Sequence, residues 1–226
     1  MNLDRNPPRL LGAAFLFVFV ASLISTQLLA SVVGSGSISE MLVNISANLT
    51  PIRISILVGL VTSVGIVVLA VLLYIVLRKQ GKIIALVALG WWLAEAVILA
   101  VSKIGLFALI PLSLEFVRAG APATSYFQTL GDLLYSSVYQ QGDNIHMLFY
   151  SLGGVLWFYL FYISRYIPRV LSILGLVIES VGLIGMVLLL LAVNVNMLVF
   201  YPIAALELAI GLWLMVKGIS DGSETK

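Results

Sequence analysis

The chain has 226 residues; 62% are hydrophobic, only 10% carry charge, and the formal net charge is +2. An ordinary soluble domain is roughly 45–50% apolar and about 25% charged, so this much apolar surface exceeds what a soluble core of this length buries. The absence of cysteine excludes disulfides and thiolate chemistry, the single histidine excludes multi-His zinc sites and bis-His haem, and the weak positive charge without a basic stripe excludes nucleic acid as a partner.

A membrane-spanning helix needs about 20 mostly apolar residues. The first such stretch covers about 10–33. Arg5 and Arg9 precede it, as in a secretory signal, but the apolar run is too long and no small-x-small cleavage site follows. It reads as a retained helix. Residues 34–50 are polar and read as a loop. The second helix is expected over about 52–77 and the third over about 82–109, joined by the basic turn Arg78-Lys79-Gln80-Gly81-Lys82. A long connection, about 111–143, follows. Within 124–139, Tyr126, Phe127, Leu130, Leu133, Leu134 and Val138 recur at helical spacing. This segment is too short and polar to span and is expected to lie as an amphipathic interfacial cap. The fourth, fifth and sixth helices are expected over about 144–163, 170–193 and 197–217. The predicted fold is therefore an all-α, six-helix integral membrane bundle forming one membrane domain.

The basic residues orient it. Arg5, Arg9, Arg78, Lys79, Lys82, Arg165, Arg169, Lys217 and Lys226 fall on one side, and Arg53, Lys103 and Arg118 on the other. The positive-inside rule then places both termini in the cytoplasm of a multi-pass cell-membrane protein.

Ionisable groups within the spans need an explanation, because burying them in hydrocarbon is costly. Glu95 is thirteen residues beyond Lys82, which is about 20 Å along a helix. Glu179 and Glu207 are each ten residues from a basic helix end, about 15 Å. All three thus fall near the middle of a hydrocarbon layer about 30 Å thick, with no lysine or arginine at that depth. Glu179 shares a stripe with Ser172, Gly175 and Gly182, Glu207 shares one with Ala204 and Gly211, and Glu95 lies near Trp91, Trp92 and Ser102. Small neighbours of this kind place the carboxyls toward protein. A second layer at the outer boundary contains Arg53, Lys103, Asp143 and His146. Lys103 is too far from Glu95 to pair with it and is expected to snorkel outward or to meet a loop carboxylate. His146 opens a stripe continued by Tyr150, Gly153, Trp157 and Phe161.

Several segments together resemble one family. They are Ile52-Arg53-Ile54, Tyr74 to Lys79, Ala94-Glu95-Ala96, Ile145 to Phe149, Tyr162 to Arg169, and Leu206-Glu207-Leu208 with Trp213 to Gly218. In this order and spacing the chain resembles the family called domain of unknown function 4386, over nearly its whole length. The resemblance implies a polytopic prokaryotic membrane protein and implies no activity.

Three functional readings are open at this level. The first is a small-ligand or ion (proton or cation) binding or transport protein, with Glu95, Glu179, Glu207, His146, Tyr150, Arg53 and Lys103 as candidate binding residues. The second is a membrane-embedded enzyme acting on a lipid or isoprenoid, with His146, Asp143 and a nearby tyrosine as the acid/base group. It lacks a nucleophile motif, a zinc constellation and a paired-aspartate motif. The third is a structural or regulatory partner of another membrane protein, whose glutamates serve as hydrogen-bonding glue between helices. The expected partners are the lipid bilayer and a small amphipathic ligand or cation. No cofactor, no resident metal ion and no catalytic residue is called for.

Overall fold

The computed structural model describes residues 7–219. Arg5 and Lys226, which enter the orientation argument, and most of the polar tail lie outside the described residues. Among the described residues all regular structure is helical. The elements are α1 (Pro7–Val33), α2 (Ile38–Ala47), α3 (Leu49–Leu77), α4 (Lys82–Arg118) and α5 (Tyr126–Asp132). A π-helical segment (Leu133–Gln140) leads into α6 (Gln141–Ser164). Then come α7 (Arg169–Leu190), a 3₁₀ turn (Met197–Phe200) and α8 (Tyr201–Val216).

Six of these helical stretches are long and apolar enough to cross a membrane: Pro8–Val33, Leu49–Leu77, Lys82–Arg118, Tyr126–Ser164, Arg169–Leu190 and Met197–Val216. They make the chain a multi-pass membrane protein. Leu57, Val64, Val97, Ile104, Ile184 and Val216 on these helices are exposed.

Four boundaries differ from the sequence expectation. Residues 34–50, expected as loop, contain α2. Ser37 caps it, its hydroxyl accepting the Glu40 N–H at 3.3 Å, and Met41, Leu42 and Ile45 form its buried face. The third spanning helix does not end near Leu109. It continues through Pro111 to Arg118, which makes α4 about 55 Å long. Proline removes one helical donor, and apolar helices tolerate that where neighbouring groups satisfy the backbone. The amphipathic segment within the expected 111–143 cap is helical, as its spacing predicts, and runs without a break through the π segment into α6. At the other end, α7 stops at Leu190. Ala192 adopts a left-handed φ of 59°, and the Val193 N–H turns back to the Leu188 carbonyl.

The chain packs as two compact units, and α1, α3 and α4 each contribute a segment to both. One unit contains Val20–Ser63 and Val97–Asp143. Its core joins Leu29, Met41, Leu42, Ile45, Ile56, Leu109, Phe116 and Phe127. Ser25 and Ser55 clasp α1 to α3, each hydroxyl donating to the other's backbone carbonyl at 2.9 and 2.8 Å.

The other unit contains, of the described residues, 7–19, 64–96 and 144–219. Here α1 crosses α8 so closely that a methyl group on Gly12 would stand 2.5 Å from the Met215 nitrogen. Its centre is aromatic. Trp92 stacks on Tyr150 with ring centroids 5.6 Å apart, and Trp157 and Phe15 meet Trp92 edge-on.

Candidate functional site

Each carboxyl of the central layer arrives on its own helix: Glu95 on α4, Glu179 on α7 and Glu207 on α8. All three belong to the same unit. Glu95 is 3% exposed and Glu179 is 0% exposed, while Glu207 is half-buried. They lie close enough for their charges to be felt mutually: Glu95 by both others, and Glu179 by Glu207. The Glu179 stripe is as expected, with Ser172, Gly175 and Gly182 buried beside it. The Glu207 stripe is not, because Ala204 is exposed while Gly211 is buried. Helix α8 is instead buried along Ile203, Leu206, Ile210 and Leu214.

Helix α6 supplies the polar groups that stand among these carboxyls. The Tyr150 hydroxyl donates to Glu207 Oε1 at 3.0 Å. The same hydroxyl and that of Ser151 also lie beside Glu179. Tyr150 is held from behind, since the Trp92 indole N–H donates to its backbone carbonyl at 3.0 Å and the two rings stack.

Room for this arrangement comes from the glycine pair that follows. A methyl group on Gly153 would stand 2.3 Å from Trp92 Cδ1, and one on Gly154 would stand 2.7 Å from Glu179 Cδ. Helix α7 therefore presents the Glu179 carboxyl directly against the α6 backbone, at a place where only glycine leaves space. The sequence set contained Tyr150 but neither Ser151 nor Gly154. The signal for them was the run Tyr150-Ser151-Leu152-Gly153-Gly154, which puts two polar side chains and two gaps within little more than one helical turn.

The hydrogen-bond count at the site does not close. Among the described residues, neither oxygen of Glu179, nor Oε2 of Glu95, nor Ser151 Oγ has a hydrogen-bond partner. Buried polar atoms in native proteins nearly always have one, so orphaned atoms point to a proton, a bound species or a role in function. Among the described residues no group of three His, Cys, Asp or Glu side chains is placed to hold one metal ion. Of the three carboxyls, Glu207 accepts from the Tyr150 hydroxyl and Glu179 lies beside it.

The remaining sequence candidates fall elsewhere. His146 lies one turn before Tyr150 on α6 and is partly buried. Arg53 is exposed on α3. Lys103 belongs to the other unit. It is buried there, with Nζ 3.8 Å from Asp143 and 4.9 Å from the centroid of the Tyr139 ring. Of the two outcomes expected for it, outward snorkelling or a carboxylate from the outer connection, the structure has the second, with Asp143 at the start of α6. Asp143, the suggested acid/base partner of His146, is thereby engaged with a cation.

Compared with known proteins, the chain matches the family model described as Domain of unknown function (DUF4386) over residues 10–218. No curated protein and no solved structure matches it.

Proposed function

The chain belongs to the DUF4386 family, and from the carboxyl cluster of its aromatic unit we propose that it binds and passes protons, or a small cation in their place, across the membrane. The observation that carries this reading is the fully buried Glu179 carboxyl with both oxygens unpartnered among the described residues. Two ionised carboxylates beside one another repel and lack solvent to screen them. Placing one proton, or one cation, among them removes the repulsion and supplies the missing donor.

The reading as a structural or regulatory partner requires the glutamates to be satisfied by neighbouring helices. The orphaned oxygens of Glu95 and Glu179 argue against it. Between a proton and a metal cation, the lack of a three-ligand grouping among the described residues favours the proton.

The apolar exposed helix faces suit a bilayer environment, and the distribution of basic residues suits cytoplasmic termini in the cell membrane. In that frame the carboxyls occupy the middle of the hydrocarbon layer. A path for charge there must be built from protein groups, because lipid offers none.

The test uses purified protein in liposomes containing a pH-sensitive dye, with a membrane potential imposed by potassium and valinomycin. Wild-type vesicles are expected to acidify or alkalinise faster than protein-free vesicles, in the direction of the potential. Glu179→Gln and Glu95→Gln should abolish the excess flux. Equal flux in wild-type and Glu→Gln vesicles, or no excess over empty vesicles, overturns the proposal.

A further inference from the structure

The Tyr150 hydroxyl carries one hydrogen and stands between two carboxyls. It donates to Glu207 Oε1 at 3.0 Å, and it also lies beside Glu179, whose oxygens both remain without a donor among the described residues. One O–H can serve only one of the two at a time, whereas a phenolic oxygen can also accept. We infer that Tyr150 is the relay that moves a proton between Glu179 and Glu207, an inference that rests on the carboxyl cluster being a proton site.

The bonding scheme follows from this arithmetic. In one state Glu179 is protonated and donates to the Tyr150 oxygen, while Tyr150 donates to the ionised Glu207. In the transfer, the Glu179 O–H bond breaks and its proton bonds to the phenolic oxygen. At the same moment the phenolic O–H bond breaks and its proton bonds to Glu207. Glu179 is left ionised, Glu207 neutral and Tyr150 unchanged, so charge and protons balance. The hydroxyl then donates to Glu179 and accepts from Glu207, which is the mirror state; once Glu207 has passed its proton on, rotation about the phenolic C–O bond turns the hydroxyl back to Glu207 for the next transfer.

The surroundings hold this rotor in place without blocking it. Stacking on Trp92 and the indole N–H on the backbone carbonyl fix the ring and the helix. Neither contact touches the hydroxyl. Gly154 lets the Glu179 carboxyl come against α6. Ser151 is the neighbouring hydroxyl at Glu179 and can steady it in its ionised state. The titratable groups facing Tyr150 are Glu95 from α4, Glu179 from α7 and Glu207 from α8. His146 precedes it by one turn on α6.

The experiment compares wild type with Tyr150→Phe, Glu179→Gln and Glu207→Gln in the liposome assay. Each sample's infrared spectrum is recorded in the carboxylic carbonyl region. Tyr150→Phe is expected to lower proton flux at least tenfold. It should also move the protonated carboxyl band to the frequency of a carboxyl without a hydrogen bond, and the band should vanish in Glu179→Gln. Wild-type flux in Tyr150→Phe, with both glutamine variants inactive, overturns the relay and leaves the carboxyl site standing. Wild-type flux in all three overturns the site itself. If Tyr150→Phe does not fold, 3-fluorotyrosine incorporated in place of Tyr150 changes the acidity of the hydroxyl while keeping its shape. A flux change of at least threefold supports the relay, and an unchanged flux overturns it.

Discussion

Replacing Gly154 by alanine perturbs the site without touching an ionisable group. The added methyl would stand 2.7 Å from Glu179 Cδ and 2.9 Å from its Oε2. An ordinary carbon–carbon contact is about 3.5 Å, so the carboxyl must retreat by roughly 0.8 Å. Two energies oppose each other in stability. Alanine improves the helix by about 1 kcal/mol over glycine, whereas overpacking a tight interior costs about 1–3 kcal/mol. The net loss is therefore between roughly zero and 2 kcal/mol, and the protein stays folded. Transfer is far more sensitive, because a misplacement on the order of 1 Å can slow a positioned reaction by about 100-fold. Gly154→Ala should thus lose about two orders of magnitude of proton flux in liposomes while its thermal unfolding in detergent shifts only a few degrees. Infrared spectra report whether the carboxyl has moved. A displaced carboxyl band with wild-type flux would show that protons do not travel through Glu179, and the reasoning would fail.

Two further outcomes concern the helices around the site. Lys103 is buried, but its partner Asp143 is 41% exposed and 3.8 Å away. Lys103→Met should therefore be tolerated within about 1 kcal/mol, while Asp143→Asn, which strips a buried ammonium of its counter-charge, should cost about 1–2 kcal/mol, less than the ~3–5 of a fully buried pair. Equilibrium unfolding of both variants checks that order, and the reverse order would contradict the pairing. Ala192 ends α7 in a left-handed conformation; since a non-glycine residue there costs about 1–2 kcal/mol and glycine loses about 0.5–1 through its freer unfolded state, Ala192→Gly should raise stability by up to about 1.5 kcal/mol. An unfolding midpoint lower than wild type would count against this account of how α7 stops.

The spans were legible because apolar length alone specifies them, and the boundaries were not because they depend on local donors and acceptors. Helix α2 shows the difference. Its Gly34-Ser35-Gly36-Ser37 approach suggests a loop, yet Ser37 with Glu40 three residues later is the spacing of a helix N-cap, and Met41, Leu42 and Ile45 mark a buried face. Reading hydropathy first hid a short helix whose signal was capping chemistry. Pro111 misled in the opposite direction. Proline usually ends helices in water-soluble proteins, but α4 continues seven residues past it. The π segment over Leu133–Gln140 has no sequence signature that sets it apart from α-helix, so the continuity from α5 into α6 could not be read from spacing.

At the site, helical rise placed Glu95, Glu179 and Glu207 at a common depth, and the structure gathers them in one unit. Depth could not reveal the donor shortage that gives the cluster its chemistry. That shortage is a matter of angles and gaps: Tyr150 commits its hydrogen to Glu207, Gly154 admits Glu179 against the helix backbone, and among the described residues neither Glu179 oxygen makes a hydrogen bond although the Ser151 hydroxyl lies beside it. Three carboxyls bring more acceptor oxygens than the hydroxyls of Tyr150 and Ser151 have hydrogens. In water the solvent would supply the difference. In an apolar interior it must come from a proton or a cation, since an isolated buried carboxylate is far costlier than a neutral acid. On the proposed reading, a proton or a cation exchanged at Glu95 and Glu179 makes up this excess of acceptors over donors.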